Sequence, residues 1–407
     1  MEKRINLLNS LRNPIVFLLT AILLFSLFPF ATFVASIPLI EKQWGLINTE
    51  VGAISGVYFL GYVLGAILLV PISDKYSTKN TLFFAVSVSA FSHLAFSIFA
   101  NGLLSALLLR FISGAAFSGV YVIGQKIIGQ NTSAESRGSS IGLYVTGFYA
   151  GGGLSLLLAG YLLLILSWET VYLLVSCISI MSVLLALIFI IKIDLLPTNP
   201  GSAFINPKVL LNKKLFVASF SYAMHAWELY IMRMWFPVFL AYLYIESGSR
   251  LNSSAALAAT IAGIISIVAS FTPLLGASYS DGKNRAKIAI VILAISSVLS
   301  LIIGLTVLLP IIFAIIIGFI WTLFVGSDSA IYTTLITENA KPEELGSSLA
   351  VHTIFAFGTA AISPLVFGII LDIFGRNELG WFLGFFTSSI CALFAMMFLY
   401  LVYVRNE

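Results

Sequence analysis

Charge is what this chain has least of. Only 9% of its 407 residues are Asp, Glu, Lys or Arg, while 60% are hydrophobic; soluble domains carry roughly 25% charged residues. A water-soluble fold could not hide so much apolar surface, so the chain reads as an integral membrane protein. Cysteine is scarce too. Cys177 and Cys391 both fall inside apolar runs, as small apolar residues rather than a disulfide or metal pair. There is no His-Glu-x-x-His helix and no Walker sequence. The common zinc-protease and ATP-driven pump chemistries are thereby excluded. No enzyme, metal or cofactor is expected.

What is present is apolar length. Runs of roughly 20 such residues cross about 30 Å of hydrocarbon, and twelve are predicted: 14–38, 50–72, 80–100, 102–128, 138–166, 168–191, 215–244, 254–280, 286–308, 310–337, 346–374 and 379–404. The first follows a charged start, Met1-Glu2-Lys3-Arg4, like that of a signal peptide. It is too long and lacks a small-x-small site, so it reads as an uncleaved first helix. Sixteen lysines and arginines fall on the side of the N-terminus, against only Lys42, Arg250 and Arg376 opposite. Basic loops stay inside, which predicts that both termini are cytoplasmic. The net charge of +4 then reflects insertion, not nucleic-acid binding. The plasma (cytoplasmic) membrane is the expected location, and a monomer the expected form.

The chain also repeats itself. Glu135-x-x-Gly138-Ser139-Ser140 recurs as Glu343-x-x-Gly346-Ser347-Ser348, a shift of 346 − 138 = 208 residues. Ser155 maps onto Ser363 and Gly160 onto Gly368 at the same shift, and Asp74 onto Asp281 at nearly the same one. The expected architecture is all-α, with twelve transmembrane helices in two pseudo-symmetric bundles: 1–192, a cytoplasmic linker at 193–214 holding Pro197, Pro200 and Pro207, and 215–407. Proline fixes φ and lacks an N–H, so the linker cannot extend either neighbouring helix. Repeats of this size are how secondary transporters are built, with the substrate between the halves. Gly52/Gly56 and Gly61/Gly65 lie four apart on one helical face and permit close helix approach.

The junction of spans 2 and 3 reads Val70-Pro-Ile-Ser-Asp74-Lys75-Tyr-Ser77-Thr78-Lys79, and that of spans 8 and 9 Ala277-Ser-Tyr-Ser-Asp281-Gly-Lys283-Asn-Arg285. Span 4 holds Arg110-Phe-Ile-Ser-Gly114. Together with the 6+6 repeat, these resemble the major facilitator superfamily, whose helix 2–3 signature is Gly-x-x-x-Asp-Arg/Lys-x-Gly-Arg-Arg/Lys. Val70, Ser77 and Thr78 depart from it. The resemblance implies a cytoplasmic gate, with Asp74, Lys75, Lys79, Glu135, Arg137, Asp281 and Arg285 as candidate members. It also implies that helices 1, 4, 7 and 10 line a central cavity.

Ionisable groups in hydrocarbon are costly unless paired or wetted, and all four clearly intramembrane charges fall on those helices: Arg110, Glu228, Arg233 and Asp328. At about 100° per residue, His225, Glu228, Met232 and Trp235 share one face of helix 7. Arg233 lies well round from Glu228, so the two do not form a simple intrahelical pair. Candidate substrate-binding residues are Arg110, Arg233, Trp227, Tyr230, Tyr58 and Tyr62; candidate proton-coupling residues are Glu228, His225 and Asp328. The Gly326 and Ser329 beside Asp328 equally suit an acid capping a helix break. His93 and His352 read as packed, hydrogen-bonded residues.

Two arginines favour a small organic or inorganic anion, since guanidinium holds oxyanions bidentately. Proton-coupled efflux of drugs or cations is the rival. The antiporter pattern Gly-Pro-x-x-Gly-Gly is answered here by Gly147-Phe-Tyr-Ala-Gly151-Gly152-Gly153 without proline, which tilts the reading toward symport. A non-transporting membrane sensor is the third alternative, and four intramembrane charges speak against it.

Overall fold

The computed structural model describes residues 13–195, 206–341 and 344–405. The roles expected of the Asp74 and Glu135 side chains, and of Pro197 and Pro200, fall outside that description. Twelve long helical elements follow one another: α1 (Pro14–Leu27, resuming as Thr32–Trp44), α2 (Asn48–Lys75), α3 (Thr78–Phe99), α4 (Leu103–Ser118, a π turn, then Gly124–Asn131), α5 (Ala134–Leu163), α6 (Trp168–Lys192), α7 (Lys213–Glu246), α8 (Leu251–Ala269, then Thr272–Ser280), α9 (Arg285–Leu305), α10 (Ile311–Ser327, then Ser329–Asn339), α11 (Leu345–Phe374) and α12 (Glu378–Leu399). A short 3-10 turn, Pro207–Leu211, leads from the linker into α7. Among the described residues there is no strand.

Local chemistry sets the starts of these helices. Asn13, Ser77, Ser167, Asn212, Asn284 and Asn377 each accept a first-turn backbone N–H, satisfying donors that an α-helix leaves orphaned. Eleven of the elements are long and apolar enough to cross a membrane by composition. The exception is α7. It is 34 residues long, but His225, Glu228 and Arg233 dilute its apolar character.

Two breaks were not legible beforehand in their detail. Helix α1 opens at residues 28–31, where Pro29 has no N–H to give. Ser155 of α5 fills the gap: its hydroxyl donates to the Phe28 carbonyl at 2.5 Å and accepts from Ala31 N at 3.0 Å. Helix α10 breaks at Asp328, as its Gly-Ser neighbours allowed.

The two halves meet through backbone. A Cβ added to Gly52 or Gly56 of α2 would collide with the carbonyls of Pro364 and Ala361 in α11, and one on Gly368 of α11 with Asn48. Gly153 and Gly160 of α5 meet Gly263 and Thr260 of α8 in the same way. All of these contacts lie toward the face opposite the linker, hereafter the outer face. Gly61 and Gly65 serve a different partner, the Phe111–Ala115 backbone of α4 within the same half. The two glycine pairs, nine residues and so about 180° apart round the helix, face opposite ways: one packs against the other half and the other forms a seam within its own bundle.

Gly56→Val is expected to wedge the outer face open, because overpacking against rigid backbone has no cheap relief. Its measurable result is loss of transport by about tenfold or more with longer outer-face distances between spin labels on α2 and α11. Gly61→Val should instead lower thermal stability. Normal transport and unchanged distances in Gly56→Val would contradict this division.

Candidate functional site

Between the halves lies a cleft that spans about 780 Å³ when the open solvent at its mouth is included. Its wall draws on α1 (Phe30, Val34), α2 (Ser55, Phe59), α4 (Arg110), α5 (Tyr149, Leu156), α7 (Leu229, Tyr230, Met232, Arg233), α8 (Ser266), α10 (Thr322) and α11 (Pro364). Most of these groups are apolar, and no acid, lysine or histidine is among the lining residues.

Arg233 and Arg110, expected at the substrate from opposite halves, both border this one space. Their surroundings differ. Arg233 has no ion pair or hydrogen bond among the described residues; instead its guanidinium lies 4.6 Å from the Tyr149 ring centre, 5.5 Å from Phe148 and 5.8 Å from Tyr230. The acid that Arg233 required in hydrocarbon is replaced by ring faces, which attract a cation by about 2 kcal/mol when desolvated. Arg110 is buried and partly engaged: Nη1 donates to the Phe30 carbonyl at 3.3 Å, helping to hold the α1 break. Phe33 and Tyr58 cover its plane at 5.1 and 4.6 Å. Its Nε is buried without a partner, and so is the Ser55 hydroxyl.

The other candidates separate by direction. Tyr230 lines the cavity and packs at a tilt against Phe59 of the other half, 4.3 Å centre to centre. Tyr58 lies behind the wall, on Arg110, and Tyr62 packs on Phe357 of α11 at 4.0 Å. Trp227 turns away, donating to Thr387 of α12 at 3.1 Å. Glu228 also turns away from the cavity, into the second bundle. Its oxygens accept from Trp321 Nε1 of α10 at 2.7 Å and Ser296 of α9 at 3.1 Å. His225 and Asp328 come together: Nδ1 stands 2.8 Å from Oδ1, both side chains buried, with the two atoms out of line for a hydrogen bond. Tyr332 donates to the other Asp328 oxygen at 2.7 Å. His93 and His352 are hydrogen-bonded core residues, against Tyr172 and Thr333 respectively.

On the linker face, neither Lys79 nor Arg285, two of the expected gating residues, bridges the halves. Lys75 and Arg137 are exposed. Lys79 donates to the Ile190 carbonyl and lies 3.9 Å from Asp194, within the first half. Arg285 pairs with Asp281 at 3.1 Å and Glu338 at 2.8 Å, within the second. The charged lock that does cross the halves lies on the outer face. Asp372 of α11 accepts from Asn48 N at 2.9 Å and Thr49 N at 2.7 Å, capping α2 from the other half. Arg376 donates to Glu41 at 2.8 Å and to Asn48 at 2.8 Å. Sequence reasoning missed this lock, although Gly368-x-x-x-Asp372-x-x-Gly375-Arg376 carries more of the signature than the stretch around Asp74 does.

Twelve helical elements enclose a shared cavity sealed at one face. The profile of the Major Facilitator Superfamily matches residues 18–364, and the chain belongs to that superfamily. A hexuronate transporter of Bacillus subtilis (strain 168) is 25% identical over 229 residues, 53% of each chain. A probable 4-methylmuconolactone transporter of Cupriavidus pinatubonensis is 28% identical over 128 residues, 31% of this chain and 29% of its own. The chain thus spans about half or less of the relatives that it matches. Among solved structures, an inward-facing, unoccupied bacterial homologue of the human lysosomal transporter Spinster superposes with TM-score 0.74 at 15% identity, over 97% of this chain and 98% of its own. A D-xylose-proton symporter gives 0.75 at 13%, over 96% and 99%.

Asp372→Asn keeps the cap's shape but removes the charge that the α2 N-terminus favours. The expected outcome is a population shift toward an open outer face, read by spin-label distances across it. A double-mutant cycle on Glu41 and Arg376 should return a coupling on the order of 1 kcal/mol. Zero coupling together with an unmoved distance distribution would reduce the lock to a surface contact.

Proposed function

We propose that the protein carries a small organic anion, a carboxylate with an apolar body, by alternating access, and that it does so coupled to protons. One observation carries the reading: the cavity holds two guanidinium groups and no acid. With Ser55, Arg110 Nε and Arg233 it presents several donors that lack protein acceptors. In a low-dielectric chamber such donors favour an anion strongly. The apolar remainder of the wall suits a hydrocarbon body better than a solute bristling with hydroxyls, each of which would need its own partner. The B. subtilis relative's substrate, hexuronate, is itself a carboxylate, which supports the anionic group, while its several hydroxyls set it apart from the apolar body proposed here. Cation efflux is disfavoured because the wall offers no counter-charge.

In this reading the linker face is cytoplasmic, as the distribution of basic residues supports, and the outer-closed form is inward-facing. The two bundles, 1–192 and 215–407, rock about the cavity as a monomer, and the gate expected around Asp74, Glu135 and Asp281 forms on the linker face in the opposite state. Proton coupling falls to His225 and Asp328, a buried pair beside the cavity, rather than to Glu228, whose two oxygens are already taken.

Uptake into proteoliposomes, with a panel of aliphatic and aromatic acids and with or without a pH gradient, tests both parts. Arg233→Lys keeps the charge but loses the planar fork. It should weaken apparent affinity by about tenfold, on the order of 1.4 kcal/mol, without loss of expression. An unaltered affinity, or transport of organic cations alone, would overturn the anion reading. His225→Asn should retain downhill exchange and lose accumulation driven by a proton gradient; gradient-driven accumulation at the wild-type level would remove the coupling assignment.

A further inference from the structure

The His225–Asp328 pair is not isolated in the second bundle. His225 Nε2 lies 2.8 Å from the hydroxyl of Ser329, the first residue after the α10 break. That hydroxyl accepts a 3.0 Å bond from Tyr149 of α5, in the other half. The ring of the same tyrosine is the surface on which the Arg233 guanidinium rests, at 4.6 Å. An unbroken series of contacts therefore runs from a buried carboxylate, through an imidazole and two hydroxyls, across the midline to the cationic centre of the cavity.

We propose that Tyr149 and Ser329 are positioning residues that tie the proton state of His225 to the occupancy of Arg233 and to the contact between the halves. This rests on the proton-coupled anion reading above. The physics lies in the direction of the hydrogen bonds. The Asp328 carboxylate, 2.8 Å from Nδ1, electrostatically favours the neutral tautomer that carries its proton there, and this leaves Nε2 as an acceptor. Ser329 then gives its hydrogen to Nε2 and receives one from Tyr149. A proton added at Nε2 turns that nitrogen into a donor toward Ser329. The serine oxygen must now accept from His225, and its own hydrogen loses its acceptor and competes with that of Tyr149. Protonation thus weakens the side-chain bond that joins α5 to α10 among the described residues.

An anion on Arg233 acts in the same sense. Its oxygens lie against Tyr149 and offer that hydroxyl another acceptor, which releases Ser329 to His225. Anion and proton therefore favour each other's binding, as linkage requires. The other titratable or charged groups around His225 are Tyr222 and Glu228 on α7, Asp328 and Tyr332 on α10, and His352 on α11. Of the series, only Tyr149 belongs to the first half.

The test needs no substrate. The full chain, with Cys177→Ser and Cys391→Ser, carries spin labels at Gln130→Cys and Thr337→Cys, two exposed linker-side positions on α4 and α10. In nanodiscs, lowering the pH from about 8 to about 5, the range over which histidines titrate, should change the ratio of the two distance populations by about fivefold or more. Tyr149→Phe retains the ring beneath Arg233 and removes only the hydroxyl. It and Ser329→Ala should cut the response to less than about twofold, Ser329→Thr should restore it, and the His225 NMR signal should still titrate in all three. A full pH response in Tyr149→Phe or Ser329→Ala would overturn the link while leaving proton coupling intact. No pH response in the labelled parent would overturn the coupling reading beneath it. A pH response lost together with His225 titration would make the effect structural and overturn the link as well.

Discussion

The outer seal is the contact on which the rest of this arrangement depends. Gly52, Gly56 and Gly368, and across the molecule Gly153 and Gly263, let main chain lie against main chain between the halves. Within lipid there is little hydrophobic gain from joining two apolar helices, so close van der Waals approach has to supply the attraction. Asp372 then adds a charge at the exposed N–H groups of α2, and Arg376 adds a second tie to Glu41 and Asn48. A seal made of backbone shape plus a few charges at its rim can part without unpicking interlocked side chains. It also fixes which side of the cavity is shut, and hence from which side Arg110 and Arg233 can be reached.

Electrostatics inside the membrane is handled by distributing it. Three ionisable side chains on α7 point in different directions: His225 toward Asp328, Glu228 toward Trp321 and Ser296, Arg233 toward the cavity. Each direction has its own compensation, whether a carboxylate, neutral donors or aromatic faces. Arg233 is thus stabilised without being neutralised, and its N–H groups stay free of any protein acceptor. Arg110 is held differently. Its bond to the Phe30 carbonyl ties the cavity wall to the α1 break, so its position and the shape of α1 are set together.

The helical plan and the location of the cavity charges were legible because both follow from simple rules. Apolar length marks a span, basic loops mark a side, and a charge in hydrocarbon needs a reason to be there. Facing was not legible at that level. Trp227, Glu228 and Tyr230 lie within four residues of one another, yet only Tyr230 borders the cavity; the choice depends on which neighbouring helix offers Thr387 or Trp321. The α1 break depended on Ser155, a residue more than a hundred positions away whose hydroxyl replaces helical partners. The outer lock was in plain view as Gly368, Asp372, Gly375 and Arg376. Gly375, with φ of +83°, takes the left-handed turn that glycine permits without strain. These residues stand at the outer end of α11, away from the helix 2–3 and 8–9 junctions to which the superfamily's signature points.

The composition of α7 also bears on how the protein is made. Eleven spans are apolar enough to enter a bilayer on their own account, and the twelfth is the one that bears His225, Glu228, Arg233 and Pro237. Charges near mid-helix make insertion of an isolated segment unfavourable by roughly 2.5–3.5 kcal/mol each. The compensating groups sit on α5, α9 and α10, and the latter two emerge from the ribosome after α7. The charged face of α7 is therefore satisfied in part by groups that follow it in the chain, so that the stability of this helix in the bilayer belongs to the assembled bundle and not to the segment by itself.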